Sequence, residues 1–158
     1  MRRNDWMGTG VLAVLAILVL TACATMKPAP LYDRLQVRDP GGIPRGGRDA
    51  IAIIVDDFVA NLVADNRVNA RFKAIKPADI PRVKSNLADQ LCEASGGPCS
   101  YYGKDMKAVH AGMKITEAEW NATVEGLVKA LDKNKIPEKE KSELLGALGP
   151  MKKDIVGQ

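Results

Sequence analysis

Between residues 51 and 63, apolar side chains fall at Ile51, Ile54, Val55, Phe58, Val59, Leu62 and Val63, a three-and-four spacing that only a helix gathers onto one face. The same rhythm returns at Val83, Leu87 and Leu91, with Ala88 and Cys92 beside them, then at Trp120, Val124, Leu127, Val128 and Leu131. It returns once more at Leu144, Leu145, Leu148, Met151 and Ile155, where Gly149-Pro150 predicts a bend or a break. No run alternates apolar and polar residues between turns, so the fold class is all-α. Asp56 and Asp57 are adjacent on a helix and point in different directions, which makes them a solvated edge and not an acid/base pair. Thr116 with Glu119 has the spacing of a capping box, each side chain satisfying a free backbone N–H at a helix start.

The chain divides before this helical part begins. Arg2 and Arg3 precede an unbroken apolar run, Val11 to Leu20, of half the length a membrane-spanning helix needs (about twenty residues). Leu20-Thr21-Ala22-Cys23 follows and resembles the lipobox of bacterial lipoproteins, in which the cysteine is acylated and the preceding peptide removed. Residues 1–22 are therefore expected to be a signal peptide, 23–30 a proline-containing tether that starts at a lipidated Cys23, and 31–158 one folded domain. An uncleaved anchor is the alternative, and either one exports the domain. The expected location is the cell envelope, with the domain attached to a membrane by its lipid and lying in the periplasm if there are two membranes.

An exported chain meets oxidising conditions, so the remaining cysteines, Cys92 and Cys99, read as a disulfide across the turn-rich EASGGP. Such a bridge would contribute roughly 2–3 kcal/mol in the chain-entropy model. Two buried free thiols or a metal site are the alternatives, and no second histidine exists to complete the latter. The formal net charge of +4 is spread among acidic residues, which gives no nucleic-acid patch. Nucleophile, Walker and zinc motifs are absent as well, and a hydrolase is not expected.

The single histidine, His110, lies four residues after Met106 and three before Met113, just ahead of the helix start at Thr116. An imidazole with soft apolar neighbours suits a haem iron, whereas a lone histidine is otherwise a surface or core residue. Around it, GGPCSYYGKDMKAVHAGMKIT resembles the proximal-histidine segment of group 1 truncated haemoglobins, short globins built as a two-over-two helical sandwich around a haem. Leu31-Tyr32-Asp33-Arg34-Leu35, the pairs Gly46-Gly47 and Gly96-Gly97, and Asn69-Ala70-Arg71-Phe72 carry the resemblance over nearly the whole domain. Gln36 to Arg45 departs from it and reads as an inserted surface loop.

The resemblance implies haem b (iron protoporphyrin IX) held through His110, with Phe72 flat on the porphyrin and Met106 and Val109 on its proximal face. Val59, Val83, Leu87 and Leu91 would line the distal side. Arg82 and Lys84, with Lys107, are the candidates for the propionates. Group 1 members typically carry tyrosine where this chain has Val59, and often glutamine where it has Leu87, so the expected pocket lacks both donors. Asn86 and Gln90 are assigned off the pocket face. The implied function is reversible binding of a diatomic gas (oxygen, carbon monoxide or nitric oxide) by a lipid-anchored haem protein. Two alternatives stand beside it: a haem oxidoreductase, such as a nitric-oxide dioxygenase or peroxidase-like protein, which needs a separate reductase as partner, and a haem-free helical structural lipoprotein.

Overall fold

The computed structural model describes residues 27–158; the expected signal peptide and Cys23 lie outside them. After a single turn, α1 (Leu31–Arg34), the chain forms a small antiparallel ribbon, β1 (Gln36–Arg38) with β2 (Pro44–Gly46), in which Val37 pairs with Arg45. The inserted segment is thus a hairpin. Its turn is held by Asp39, which accepts from Ile43 N–H at 2.9 Å and pairs with Arg45 at 2.8 Å. Val37 alone of β1 is buried, so the ribbon is pinned to the domain by one side chain.

The remaining elements are helical: α2 (Gly47–Ala64), α3 (Asn69–Lys73), α4 (Ile80–Ala94), α5 (Met106–His110), α6 (Glu117–Lys133) and α7 (Glu138–Leu148). A 3-10 segment, Gly149–Asp154, follows α7, so the Gly149-Pro150 break falls at the expected place. The expected capping box is present, with Glu119 N–H donating to Thr116 Oγ1 at 3.2 Å and Thr116 N–H to Glu119 Oε2 at 2.9 Å. Among the described residues no helix is long and apolar enough to cross a membrane.

α2 packs against both α4 and α6, and α7 packs against α4 and α6, which gives the two-over-two arrangement. Burial explains the central place of α2, because Ile51, Ile54, Val55, Phe58, Val59 and Leu62 are all buried. Val63, although in phase with them, is 40% exposed. α6 approaches α2 closely through its small residues: a Cβ on Gly126 would lie 3.1 Å from Leu62 Cδ2. Asn61 Nδ2 fastens the crossing by donating to the Gly126 carbonyl at 2.9 Å.

The two Gly-Gly turns meet around one aromatic ring. Gly47 has φ +57°, and a Cβ there would stand 2.8 Å from Tyr32 Oη; a Cβ on Gly97 would collide with the same ring and come within 2.7 Å of Cys92 Sγ. Tyr32 Oη accepts from Arg48 N–H at 3.0 Å, and Tyr32 N–H donates to the Ser95 carbonyl at 2.9 Å. The start of α2 and the end of α4 are thereby locked to α1.

Candidate functional site

A cavity of about 900 Å³ opens between α3, α4, α5, α6 and the C-terminal 3-10 segment, near the upper end of the range of about 300–1,000 Å³ usual for cofactor sites. Its walls are mostly apolar. Phe58 and Leu62 contribute from α2, Phe72 from α3, Val83, Leu87 and Leu91 from α4, and Trp120, Val124 and Leu127 from α6.

α5 supplies the site's distinctive group. Asp105 caps this one-turn helix by accepting from Ala108 N–H at 2.9 Å. The turn places Met106, Val109 and His110 in the cavity wall, with Met113 just beyond. His110 Nδ1 lies 2.7 Å from the Met106 carbonyl oxygen, so Nδ1–H donates to it and Nε2 is left as the nitrogen with a free lone pair. A ring held this way by a backbone carbonyl is the usual arrangement of a metal-ligating histidine.

Among the described residues no group of three His, Cys, Asp or Glu side chains could hold a bare metal ion. One imidazole in a large apolar cavity suits a metal that brings its own planar ligands, and the residues present therefore fit a haem. His110 would hold the iron, and Phe72, Met106, Val109, Val83, Leu87 and Leu91 would surround the macrocycle. Arg82 lies in the lining, paired with Asp79 at 3.0 Å.

Three expected residues lie elsewhere, among them Lys107, which is not in the lining. Val59 is 5% exposed, buried in the core and outside the lining, where its neighbour Phe58 takes the cavity-facing position. Lys84 pairs with Asp56 at 2.9 Å and does not line the cavity. Asn86 and Gln90, assigned off the pocket face, both line it. The signal for them was in the spacing: Asn86 is three residues after Val83, and Gln90 three after Leu87, so all share one helical stripe.

Other contributors carried no sequence signal of their own. Arg71 Nε donates to Glu119 at 2.8 Å and ties α3 to the start of α6. Together with the Thr116 backbone N–H, the Arg71 guanidinium holds the Glu119 carboxyl down at about 2. Tyr101 lines the cavity and donates to the Lys104 carbonyl at 2.8 Å; burial pushes its phenol above the ordinary value. The Cys92–Cys99 disulfide is formed. It fixes the segment leading to Tyr101 against the end of α4, one residue after Leu91.

Comparison with known proteins agrees with this architecture. The family model described as Bacterial-like globin matches residues 45–156. A group 1 truncated haemoglobin of Mycolicibacterium paratuberculosis is 29% identical over 137 residues, covering 87% of this chain and 91% of that protein. One from Tetrahymena pyriformis is 27% identical, covering 84% and 98%. The crystal structure of a T. pyriformis truncated haemoglobin in its Fe(III) form superposes with a TM-score of 0.70 at 26% identity, covering 82% of this chain and all (100%) of that one. A Synechococcus 2/2 haemoglobin with covalently attached haem gives 0.68 at 25% identity, covering 81% and 98%.

Proposed function

Because the chain belongs to the bacterial-like globin family, we propose that it is a lipid-anchored haem protein of the cell envelope that binds oxygen or another diatomic gas reversibly, with His110 as its iron ligand. The fold is that of a truncated globin and the cofactor is haem, which removes the haem-free alternative. When bound, haem supplies an iron that coordinates a diatomic gas. The observation that carries the assignment of His110 is its Nδ1 contact with the Met106 carbonyl in the wall of the cavity. That contact holds the ring in one tautomer and one orientation, so that Nε2 is available without a reorganisation cost.

The apolar residues of α2, α4 and α6 exclude water from the macrocycle's faces, and burial of that surface is the main source of affinity for it. Arg82, at the cavity's edge, is placed to meet a carboxylate. His110→Ala is expected to abolish the histidine-type Soret band of the purified protein while leaving the helical circular dichroism unchanged. An unaltered Soret band in that variant overturns the assignment.

The anchor is supported by the short apolar run Val11 to Leu20 and by Leu20-Thr21-Ala22-Cys23 after it. Protein purified from membranes should have the mass of a chain beginning at an acylated Cys23. A mass that includes Met1 rules this out.

A further inference from the structure

The helix that carries His110 has little to hold it. α5 is a five-residue turn with no buried residue, far too short to be stable on its own, and it packs chiefly on the 3-10 segment Gly149–Asp154. Its downstream end is fastened. Met113 N–H donates to the His110 carbonyl at 3.0 Å, Ile115 pairs with Val156 in an isolated parallel bridge, and Gly157 N–H donates to the Ile115 carbonyl at 2.9 Å. Its upstream end is held differently. Among the described residues, 98–104 make no backbone–backbone hydrogen bond, and the bond from Tyr101 Oη to the Lys104 carbonyl stays inside that segment. The covalent tie between this segment and the fold is Cys99, bridged to Cys92 of α4, which is fully buried. Opening the bridge would leave residues 98–105 as a free arm and α5 held from its downstream end alone.

A metal ligand binds more tightly when its surroundings fix its position in advance. We infer that the Cys92–Cys99 bridge is a positioning device for the iron ligand: closed, it holds α5 so that His110 stays in the cavity wall, and open, it lets the protein release its haem. The inference rests on the reading of His110 as that ligand. Opening the bridge takes two electrons and two protons from a dithiol, which closes to its own disulfide, and the reverse exchange restores the pair. Haem retention thereby follows the thiol–disulfide balance around the protein. Linkage makes the effect mutual, so bound haem makes the bridge harder to open by the same factor.

The test uses the full chain loaded with haem, comparing the oxidised wild type with the dithiothreitol-treated wild type and with the double variant Cys92→Ala/Cys99→Ala. Haem transfer to excess apomyoglobin should accelerate about tenfold to a hundredfold once the bridge is absent, the usual effect of losing a group that orients a metal ligand. The iron–histidine stretching band of the ferrous form should shift or broaden, because the ring is no longer held in one orientation. Hydrogen exchange on the haem-free chain gives a readout that needs no haem: amides of residues 107–113 should exchange faster, while those within α6 stay protected. Ile51→Val, a buried core substitution outside the cavity wall, controls for general loss of stability and should leave haem transfer unchanged. Unaltered haem transfer and an unaltered stretching band without the bridge overturn the inference, and a normal Soret band then leaves the haem reading standing. Equal acceleration in Ile51→Val overturns it too, since the bridge would then act only through overall stability. A chain that loses its helical circular dichroism when the bridge is opened overturns it as well, because the bridge would then hold the whole fold. Absence of a Soret band in the oxidised wild type sinks both.

Discussion

The two faces of α4 look onto different worlds. Ala88 and Cys92 are buried against the core that α2 fills, where Ile51 and Ile54 have no more than 1% of their surface exposed, and Leu91 at the boundary belongs to both that core and the cavity wall. Val83, Asn86, Leu87 and Gln90, on the neighbouring stripe, border a cavity of about 900 Å³ and stay half-buried. One helix thus contributes to a sealed interior, which holds the fold, and to an open one, which leaves space for a ligand. The sealed side has no room to lose atoms, whereas the open side already lacks neighbours.

The largest expected difference is between truncations on the two sides. Ile54→Ala removes buried methyl groups from close packing and should cost about 2–5 kcal/mol. Leu87→Ala only widens an existing space and should cost about 1 kcal/mol in the haem-free protein. Urea unfolding of both variants measures the gap, and equal costs would mean that the cavity is filled or collapsed in solution. A second, smaller effect separates neighbouring positions on α2. Val59→Tyr forces a ring into the core and should destabilise the protein by about 1–3 kcal/mol. If that variant instead keeps wild-type stability and slows oxygen release, position 59 faces the cavity and the boundary drawn here is misplaced.

The smallest effect is at the joint between α3 and α6. The Glu119 carboxyl titrates at about 2 instead of the ordinary 4.5, because of Arg71 first and the Thr116 N–H second. A depressed carboxylate contributes stability that is fully present above the unfolded value and is lost as the pH falls through the folded one. Melting temperatures between pH 4.5 and about 2 should therefore fall less steeply for Glu119→Gln than for the wild type. Parallel slopes would show that the Arg71 bridge does not form in solution.

Much of this was legible along the chain. The helices of residues 51–63, 83–92 and 120–131 announced themselves by spacing, and the capping box at Thr116 fixed the start of α6. Cys92 and Cys99 were close enough in sequence for the turn between them to join them. His110 stood out because no other imidazole exists. The short ribbon escaped the sequence reading because its strands are three residues each and only Val37 is buried, too little for an alternating pattern to register.

What the sequence by itself determined is where the long helices lie, which residue carries the single imidazole and where the chain must turn. Local periodicity and side-chain chemistry suffice for that, since both are properties of a few consecutive residues. Only the tertiary structure decided which apolar stripe met protein and which met open space. α2 shows why: it packs against several elements at once, its apolar residues cover a broad arc, and nothing in that arc distinguishes Phe58 at the cavity from Val59 in the core. On α4 the spacing already set Asn86 and Gln90 beside Leu87, and only packing showed that their stripe borders the cavity. The convergence of Gly47 and Gly97 on Tyr32 was likewise invisible, because close approach is a relation between segments distant in sequence and leaves at each of them no more than a missing Cβ.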